Sequence, residues 1–502
     1  MSAGVVHGCV VGFTITQFGN NDVTRLTPVR PSRRELLSRG TFGAGSIALA
    51  LLLKQDKLLA IPKDVLGPRT FDLKPKVPPV PPRAKSLISL FMHGGPSQVD
   101  LLDPKPELTR RDGDAYDGKV VFSFFNRATK RLLGSPWKFA RHGQSGTPVS
   151  ELLPHVAGIV DDLCVVRSMH TDTNDHGTSI RKLVMGSTRP ERPAFGAWLT
   201  YGLGSENENL PAYVVLSDPG GHPTLDISNW SNGWLPSIYQ GTVVRSQEPR
   251  ILNLEPPPQL KGTLQQQNLG FLQELNRDYV ERHPGETDLE ARIASYELAA
   301  RMQTVAKEAL DIARETKKTH EMYGLDDPAS REYGTRCLIA RRLVERGVRV
   351  VQLFLPSQPW DSHTQMRKKL PEVCRKTDKP SAGLVKDLKA RGLLDSTLVH
   401  WGGEFGRLPV SEGVPAVGGR DHNGEGFSLW LAGGGVRTGE PYGATCEFGH
   451  RAMVDKVSHH DFQATLLHLF GLQHEDLTFK HNGREQTLTD GQGCRVVHDL
   501  FS

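Results

Sequence analysis

The chain has 502 residues, room for two to four domains at roughly 100–200 residues each, or for one large α/β unit. With 37% hydrophobic and 23% charged residues, it is neither a disordered chain nor a multi-pass membrane protein. Of the net charge of +5, residues 1–59 carry +4 (seven Lys/Arg against three Asp/Glu), so the balanced remainder argues against a nucleic-acid partner.

Ser32-Arg33-Arg34-Glu35-Leu36-Leu37 precedes an apolar, Gly/Ala-rich run from Thr41 to Leu53. Positive charge ahead of a moderately apolar stretch is the logic of an export signal, and the paired arginines point to the twin-arginine export machinery and a periplasmic or extracellular location. The run is shorter than the about 20 apolar residues of a spanning helix. Residues 1–60 are therefore read as a signal segment, with cleavage near Ala60 or an uncleaved anchor. Residues 61–83 hold seven prolines and read as an extended linker. The folded domain is expected over 84–502.

Short apolar runs mark buried strands at Ser86–Met92, Leu163–Arg167, Ala212–Leu216, Arg349–Leu355, Thr397–Trp401 and Phe427–Ala432. Helical spacing is found at Leu289–Lys318, Cys337–Arg346, Ser381–Arg391 and Asp461–Phe470, the last capped by Asp461 and stopped by Gly471. Asn229–Pro258 has no clear period and reads as an insertion near the active face. Alternating helix and strand predicts an α/β fold, a mostly parallel central sheet with helices on both faces. The six cysteines (Cys9, Cys164, Cys337, Cys374, Cys446, Cys494) are scattered without a CxxC, which excludes a zinc ribbon or dense disulfide framework and leaves room for one or two disulfides.

In open α/β sheets ligands bind beyond the carboxyl ends of the strands. The residues just past the predicted strands are rich in metal-type donors: His93-Gly94-Gly95-Pro96-Ser97, Asn174-Asp175-His176, Asp361-Ser362-His363 and Glu404-Phe405-Gly406-Arg407, with Asp421-His422 ahead of the last strand. Each alone reads as a surface pair or a salt-bridged turn; together they are the ingredients of a divalent-metal site, with zinc, calcium, manganese or iron as the candidate ions. His93, Asp361, His363, Glu404, Asp421 and His422 are the candidate ligands. Arg181 and Arg407 are guanidinium forks able to hold an anion, and Ser97 is a further substrate contact. His459 and His460 read as capping or packing residues beside a helix start.

Phe91-Met-His-Gly-Gly-Pro-Ser-Gln-Val-Asp100, Trp360-Asp-Ser-His363, Gly403-Glu-Phe-Gly-Arg407, Gly419-Arg-Asp-His422 and Leu431-Ala-Gly-Gly-Gly435 resemble the DUF1501 family, over roughly Ala84 to Phe501. The resemblance implies export and an alkaline phosphatase/sulfatase-like fold more firmly than any reaction. Measured against that superfamily, two positions depart. The first strand ends in His93 where an Asp is expected. The nucleophile position, counted back from Met185-Gly186, holds His176. The resemblance leaves two roles for His176, metal ligand or nucleophile and general acid/base. Asn174 is a lesser catalytic candidate. Asp361, His363, Glu404 and His422 match the superfamily's metal shell, with Glu404 in place of an Asp.

The expected function is an exported metal-dependent hydrolase of a sulfate or phosphate ester, acting on an anionic ester or a sulfated polysaccharide. The alternative is a catalytically degenerate binding protein on the same fold, holding glycans or protein partners at the cell envelope. The substrate, the metal and the oligomeric state are not legible in the sequence.

Overall fold

Along Ser86–Phe91 alternate side chains part to two cores: Ile88 and Leu90 join one, Leu87 and Phe91 the other. Such a strand, buried on both faces, lies in the middle of a sheet covered by helices on each side. The computed structural model describes residues 72–501 apart from 124–127, 253, 261, 284–286 and 413–417. The paired arginines and the apolar run behind them fall outside the described residues.

The strands used below are β1 (Ser86–Phe91), β2 (Ala128–Leu132), β3 (Leu163–His170), β4 (Tyr213–Ser217), β5 (Thr242–Arg245), β6 (Val350–Phe354), β7 (Thr397–Gly402), β8 (Gly406–Glu412), β9 (Gly419–Asn423), β10 (Phe427–Ala432) and β11 (Val457–Ser458). The main sheet has the order β11-β3-β10-β7-β1-β6-β4-β5. All its pairings are parallel except those of β10, which runs against both neighbours. A second, antiparallel sheet of order β9-β8-β2 stands beside it.

The helices are α1 (His176–Met185), α2 (Phe195–Leu203), α3 (Thr263–Arg282), α4 (Thr287–Leu310), α5 (Arg331–Val344), α6 (Met366–Ala390) and α7 (His459–Leu469). One core takes Met302 of α4, Leu338 of α5 and Leu384 of α6. The other takes Ile180 of α1, Trp198 of α2 and Leu467 of α7. The expected α/β class, with a mostly parallel sheet between two helical layers, is what is observed.

Several local expectations change. The predicted helix Leu289–Lys318 stops at Leu310, where Asp311 turns its carboxylate onto Ala313 N and starts a 3-10 turn. The predicted Ser381–Arg391 is only the second half of α6, which runs through Pro371 and Pro380. Prolines read as breakers, but tertiary packing carries this helix past them. Asp461 is not the cap of α7. Ser458 is, its Oγ accepting from Asp461 N at 3.0 Å while Asp461 Oδ2 accepts from Ser458 N at 3.0 Å, a reciprocal capping box. Asn229–Pro258 is not an insertion; it contains β5, the edge strand of the main sheet. The five described cysteines are free, so no disulfide forms among the described residues. Residues 72–83 lie along the domain, with Lys76 N donating to Leu203 O, Val80 N to Gly471 O and Arg83 N to Leu469 O. Among the described residues no helix is long and apolar enough to cross a membrane.

The sheet also contains a polar pair. Ser89 and His400 face each other in the β1–β7 register, with Ser89 Oγ 3.2 Å from His400 Nδ1. Burial alone pushes the His400 imidazole down from 6.5 to about 4. The unfolded ring takes a proton near 6.5, whereas the folded ring resists one until about pH 4. Acid therefore favours the unfolded chain. This contribution to stability is intact above about pH 6.5 and is lost as pH falls toward 4, by up to about 3 kcal/mol. His400→Gln keeps a partner for Ser89 and does not titrate. Urea-denaturation midpoints between pH 4 and 7 should fall less steeply in this variant than in the natural protein; parallel curves would show that His400 does not carry the effect.

Candidate metal centre

The carboxyl ends of four parallel strands deliver their loops to one place. β1 runs out into His93 and Gly94, β6 into Asp361 and His363, and β7 into Glu404, with Arg407 just inside β8. β3 leads to Asn174 and His176, where α1 begins, with Asp175 as its cap accepting from Thr178 N at 2.8 Å. His422 comes from β9, outside the main sheet. Two glycines allow the loops to meet. A Cβ at Gly94 would lie 2.5 Å from Asp361 N, and one at Gly419 would lie 1.8 Å from Ser362 O. The Asp361–His363 loop is thus clamped between two backbones that no larger residue permits.

Asp361 is at the centre. Its Oδ1 is 3.0 Å from His363 Nε2, 3.4 Å from His422 Nε2 and 3.6 Å from His176 Nε2, and Arg407 Nη2 is 2.6 Å away. The outward nitrogens of the three rings are all engaged. His176 Nδ1 lies 2.6 Å from Glu404 Oε1, His422 Nδ1 2.6 Å from Asn174 O, and His363 Nδ1 bonds Glu412 Oε2. Carboxylates and carbonyls only accept, so each Nδ1 carries a proton, and a ring turns an Nε2 lone pair inward when it is neutral. His363 Nε2 and His422 Nε2 face each other at 2.9 Å, where two lone pairs repel unless a proton or a cation lies between them.

His176, Asp361, His363 and His422 bring four donor atoms within 4.8 Å of one another. Metal–ligand bonds of about 2.0–2.1 Å place neighbouring ligand atoms about 3.0–3.4 Å apart, close to the separations found here. His176 Nε2 is buried without a hydrogen-bond partner, and Asp361 Oδ1 is held by the ion pair with Arg407. Histidine ligands whose second nitrogen is held by a carboxylate or carbonyl are the usual support of a metal site. The residues fit a divalent metal.

The electrostatics favour positive charge at the centre, whether a proton or a cation. Burial opposes ionisation of Asp361, but Arg407 and the three histidines outweigh it and hold the carboxyl far below its usual range. Burial opposes charge on His363, yet bonds to Asp361 and Glu412 raise it to about 9. His176 is raised as well, against burial, by Asp361 and Glu404. His422 is lowered, chiefly by burial.

Of the predicted ligands, Asp361, His363 and His422 meet at the cluster. Glu404 stands behind His176, fully buried, and accepts from Gly94 N at 3.0 Å; it orients a ligand. Asp421 sits near His363 Nδ1 at 3.8 Å and takes Ser123 N at 2.9 Å and Ser123 Oγ at 2.5 Å. His93 is buried with neither ring nitrogen paired, and burial pushes it down to about 4; it lies outside the four-donor group. His176, expected as catalytic, is one of the four.

Arg407 is fully buried and spends its donors on Gly94 O, Gly95 O, Arg420 O and Asp361, which makes it the anchor of Asp361. Ser97 Oγ donates to Asp100 Oδ2, part of a buried pair with Arg420. The Asn174 side chain donates to Val121 O, and its carbonyl serves His422. Arg181, on α1, keeps a buried Nε without a hydrogen-bond partner. Sequence reasoning missed Glu412 and Ser123. Glu412 was findable from the pairing of β8 with the Gly419–His422 segment, which places it opposite Gly419.

The fold and site define an α/β protein with a histidine-rich cluster centred on one carboxylate at the carboxyl edge of its sheet. The family profile described as "Protein of unknown function (DUF1501)" matches residues 84–501, and the chain belongs to that family. No curated protein matches. Among solved structures, Ps i-CgsB is similar at 11% identity and a TM-score of 0.34, over 78% of this chain and 73% of that one. The PsFucS1 sulfatase from Pseudoalteromonas sp. is similar at 11% identity and 0.33, over 78% and 68%. Ps i-CgsB in complex with k-i-k-neocarrahexaose gives 12% identity and 0.30, over 64% and 67%. At such scores these likenesses carry no argument about chemistry.

Glu404→Gln preserves size and an acceptor for His176 Nδ1 but removes the charge. It should weaken metal binding by about 10–100-fold with the fold retained, read by chelator competition and circular dichroism. Unchanged affinity would leave Glu404 as a packing residue only.

Proposed function

We propose that this protein is an exported, metal-dependent hydrolase of sulfate or phosphate esters, including esters carried on polysaccharide. The observation that supports it is the common orientation of His176, His363 and His422, each with its Nδ1 proton committed outward and its Nε2 turned toward Asp361. Three nitrogens and one carboxylate oxygen suit zinc, manganese or iron; calcium prefers about six to eight oxygens. When bound, such an ion supplies a Lewis acid that draws charge from an ester oxygen and activates water.

The chain's own groups do the rest. Glu404, Glu412 and the Asn174 carbonyl fix the three rings, and Arg407 keeps Asp361 ionised and in place. With Arg407 spent, Arg181, whose buried Nε has no hydrogen-bond partner, is the guanidinium proposed to meet the anionic oxygens of an ester. The hydroxyls in the first turn of α1 are engaged, Thr178 Oγ1 with Asp175 and Ser179 Oγ with Thr173 O. The attacking group in this reading is water. Export rests on Arg33-Arg34 and the apolar run from Thr41 to Leu53.

Elemental analysis of protein purified without chelator should give about one equivalent of zinc, manganese or iron per chain, and His363→Ala or His422→Ala should lose it. His176→Ala should abolish hydrolysis of nitrophenyl sulfate or phosphate. Absence of metal after reconstitution with each ion overturns the reading. Metal without turnover on any ester moves the protein to the binding role.

A further inference from the structure

A second polar cavity, of about 400 Å³, lies between the ends of β3, α1 and α7. Its size falls in the range of about 300–1,000 Å³ usual for small-molecule sites. Thr171, Asp172, Lys182, Thr188, His459 and Asp490 contribute to its wall. Thr171 and Asp172 also line a smaller cavity of about 140 Å³ that opens on His422 of the cluster. The two cavities therefore share a wall, and the larger one lies beside the Asn174 and His422 flank of the cluster.

Three features define what the larger cavity accepts. Its charges are already neutralised, Lys182 by Asp172, and Asp490 by Arg192 at 2.9 Å. A bare anion meets two carboxylates there, and a cation meets Lys182. The wall also carries hydroxyls and ionic groups, which an apolar ligand would strip of water without replacement. His459 is fully buried and neither ring nitrogen makes a well-formed hydrogen bond, with the Glu404 backbone as a weak partner. Burial holds the ring neutral, so one nitrogen donates and the other accepts. A buried polar side chain left unpaired is costly, and its presence in a cavity wall calls for a partner.

We infer that the larger cavity is a subsite for a neutral, hydroxyl-rich sugar residue adjoining the ester-bearing residue of a saccharide. Sugar hydroxyls both donate and accept, which matches His459, the two threonines and the paired Lys182–Asp172. The placement beside an ester rests on the hydrolase reading, but sugar binding itself needs no turnover.

The test uses the full chain loaded with zinc on an array of neutral, sulfated and phosphorylated mono- and oligosaccharides, followed by isothermal titration with the best-retained glycan. Glycans of two or more residues should bind, and Lys182→Met or Thr188→Trp, the latter at an exposed position on the wall, should each weaken them by about tenfold. The inference is overturned if no glycan is retained, if mono- and oligosaccharides bind alike, if both variants bind as the natural protein does, or if inorganic phosphate displaces a neutral glycan competitively. Glycan binding that responds to the variants without hydrolysis of any ester keeps the subsite and retires the hydrolase. Hydrolysis with no response to the variants does the reverse.

Discussion

The Asp361 carboxylate, about a quarter exposed at the meeting point of three imidazoles, is the constraint on which the site depends. A carboxylate so placed would take up a proton unless an opposite charge were fixed against it. Arg407 supplies that charge from a fully buried position, and it holds still because Gly94 O, Gly95 O and Arg420 O occupy its remaining donors. Those carbonyls belong to the β1 loop and to β9. The ion pair therefore ties the main sheet to the small one as well as fixing the centre of the cluster.

The bracing extends outward. Gln98 bonds both the amide and the carbonyl of Arg407, and Asp100 pairs with Arg420 where neither side chain has any exposure. Buried pairs of this kind add little net stability, but breaking one leaves a charge stranded. Their effect is to hold β8 and β9 in one register, and that register carries Glu412 to His363 and His422 to Asp361. Each of the three rings is fixed by an element other than its own: His176 by the β7 loop, His363 by β8, His422 by the loop after β3. The cluster forms only when both sheets are assembled.

How much of this was legible in the sequence depended on how locally each feature is encoded. The six predicted strands were found because each is a continuous apolar run, the mark of a strand buried on both faces. β5 and β11 are short and lie at the sheet edges, where little periodicity is imposed. β9 was hidden because Arg420, Asp421, His422 and Asn423 read as a polar turn; all four are buried, their polarity satisfied by partners distant in the chain. Within the site, donor types and strand-end positions were visible, which brought Asp361, His363, His422 and His176 forward. Which carboxylate binds and which supports was not visible. Glu404 and Asp361 look alike as letters after a strand, and only the three-dimensional placement of the His176 ring sends Glu404 to its outer nitrogen.

That distinction bears on His176 itself. At the head of α1, an imidazole with Nδ1 held by Glu404 has the right tautomer to attack an ester as well as to bind a metal. What separates the two roles is the company of Nε2. A nucleophile needs its lone pair directed at open space and substrate. Here it points toward Asp361, into a group where two more rings present the same face, and ring centroids of His176 and His422 are 4.2 Å apart. Among inward lone pairs so close together, the favoured occupant is a positive charge. A proton between His363 and His422 satisfies one such contact, and His176 needs a second proton directed at Asp361. A single divalent ion would answer all three rings and the carboxylate at once, so under the proposed metal-dependent reading His176 is a ligand before it is a nucleophile.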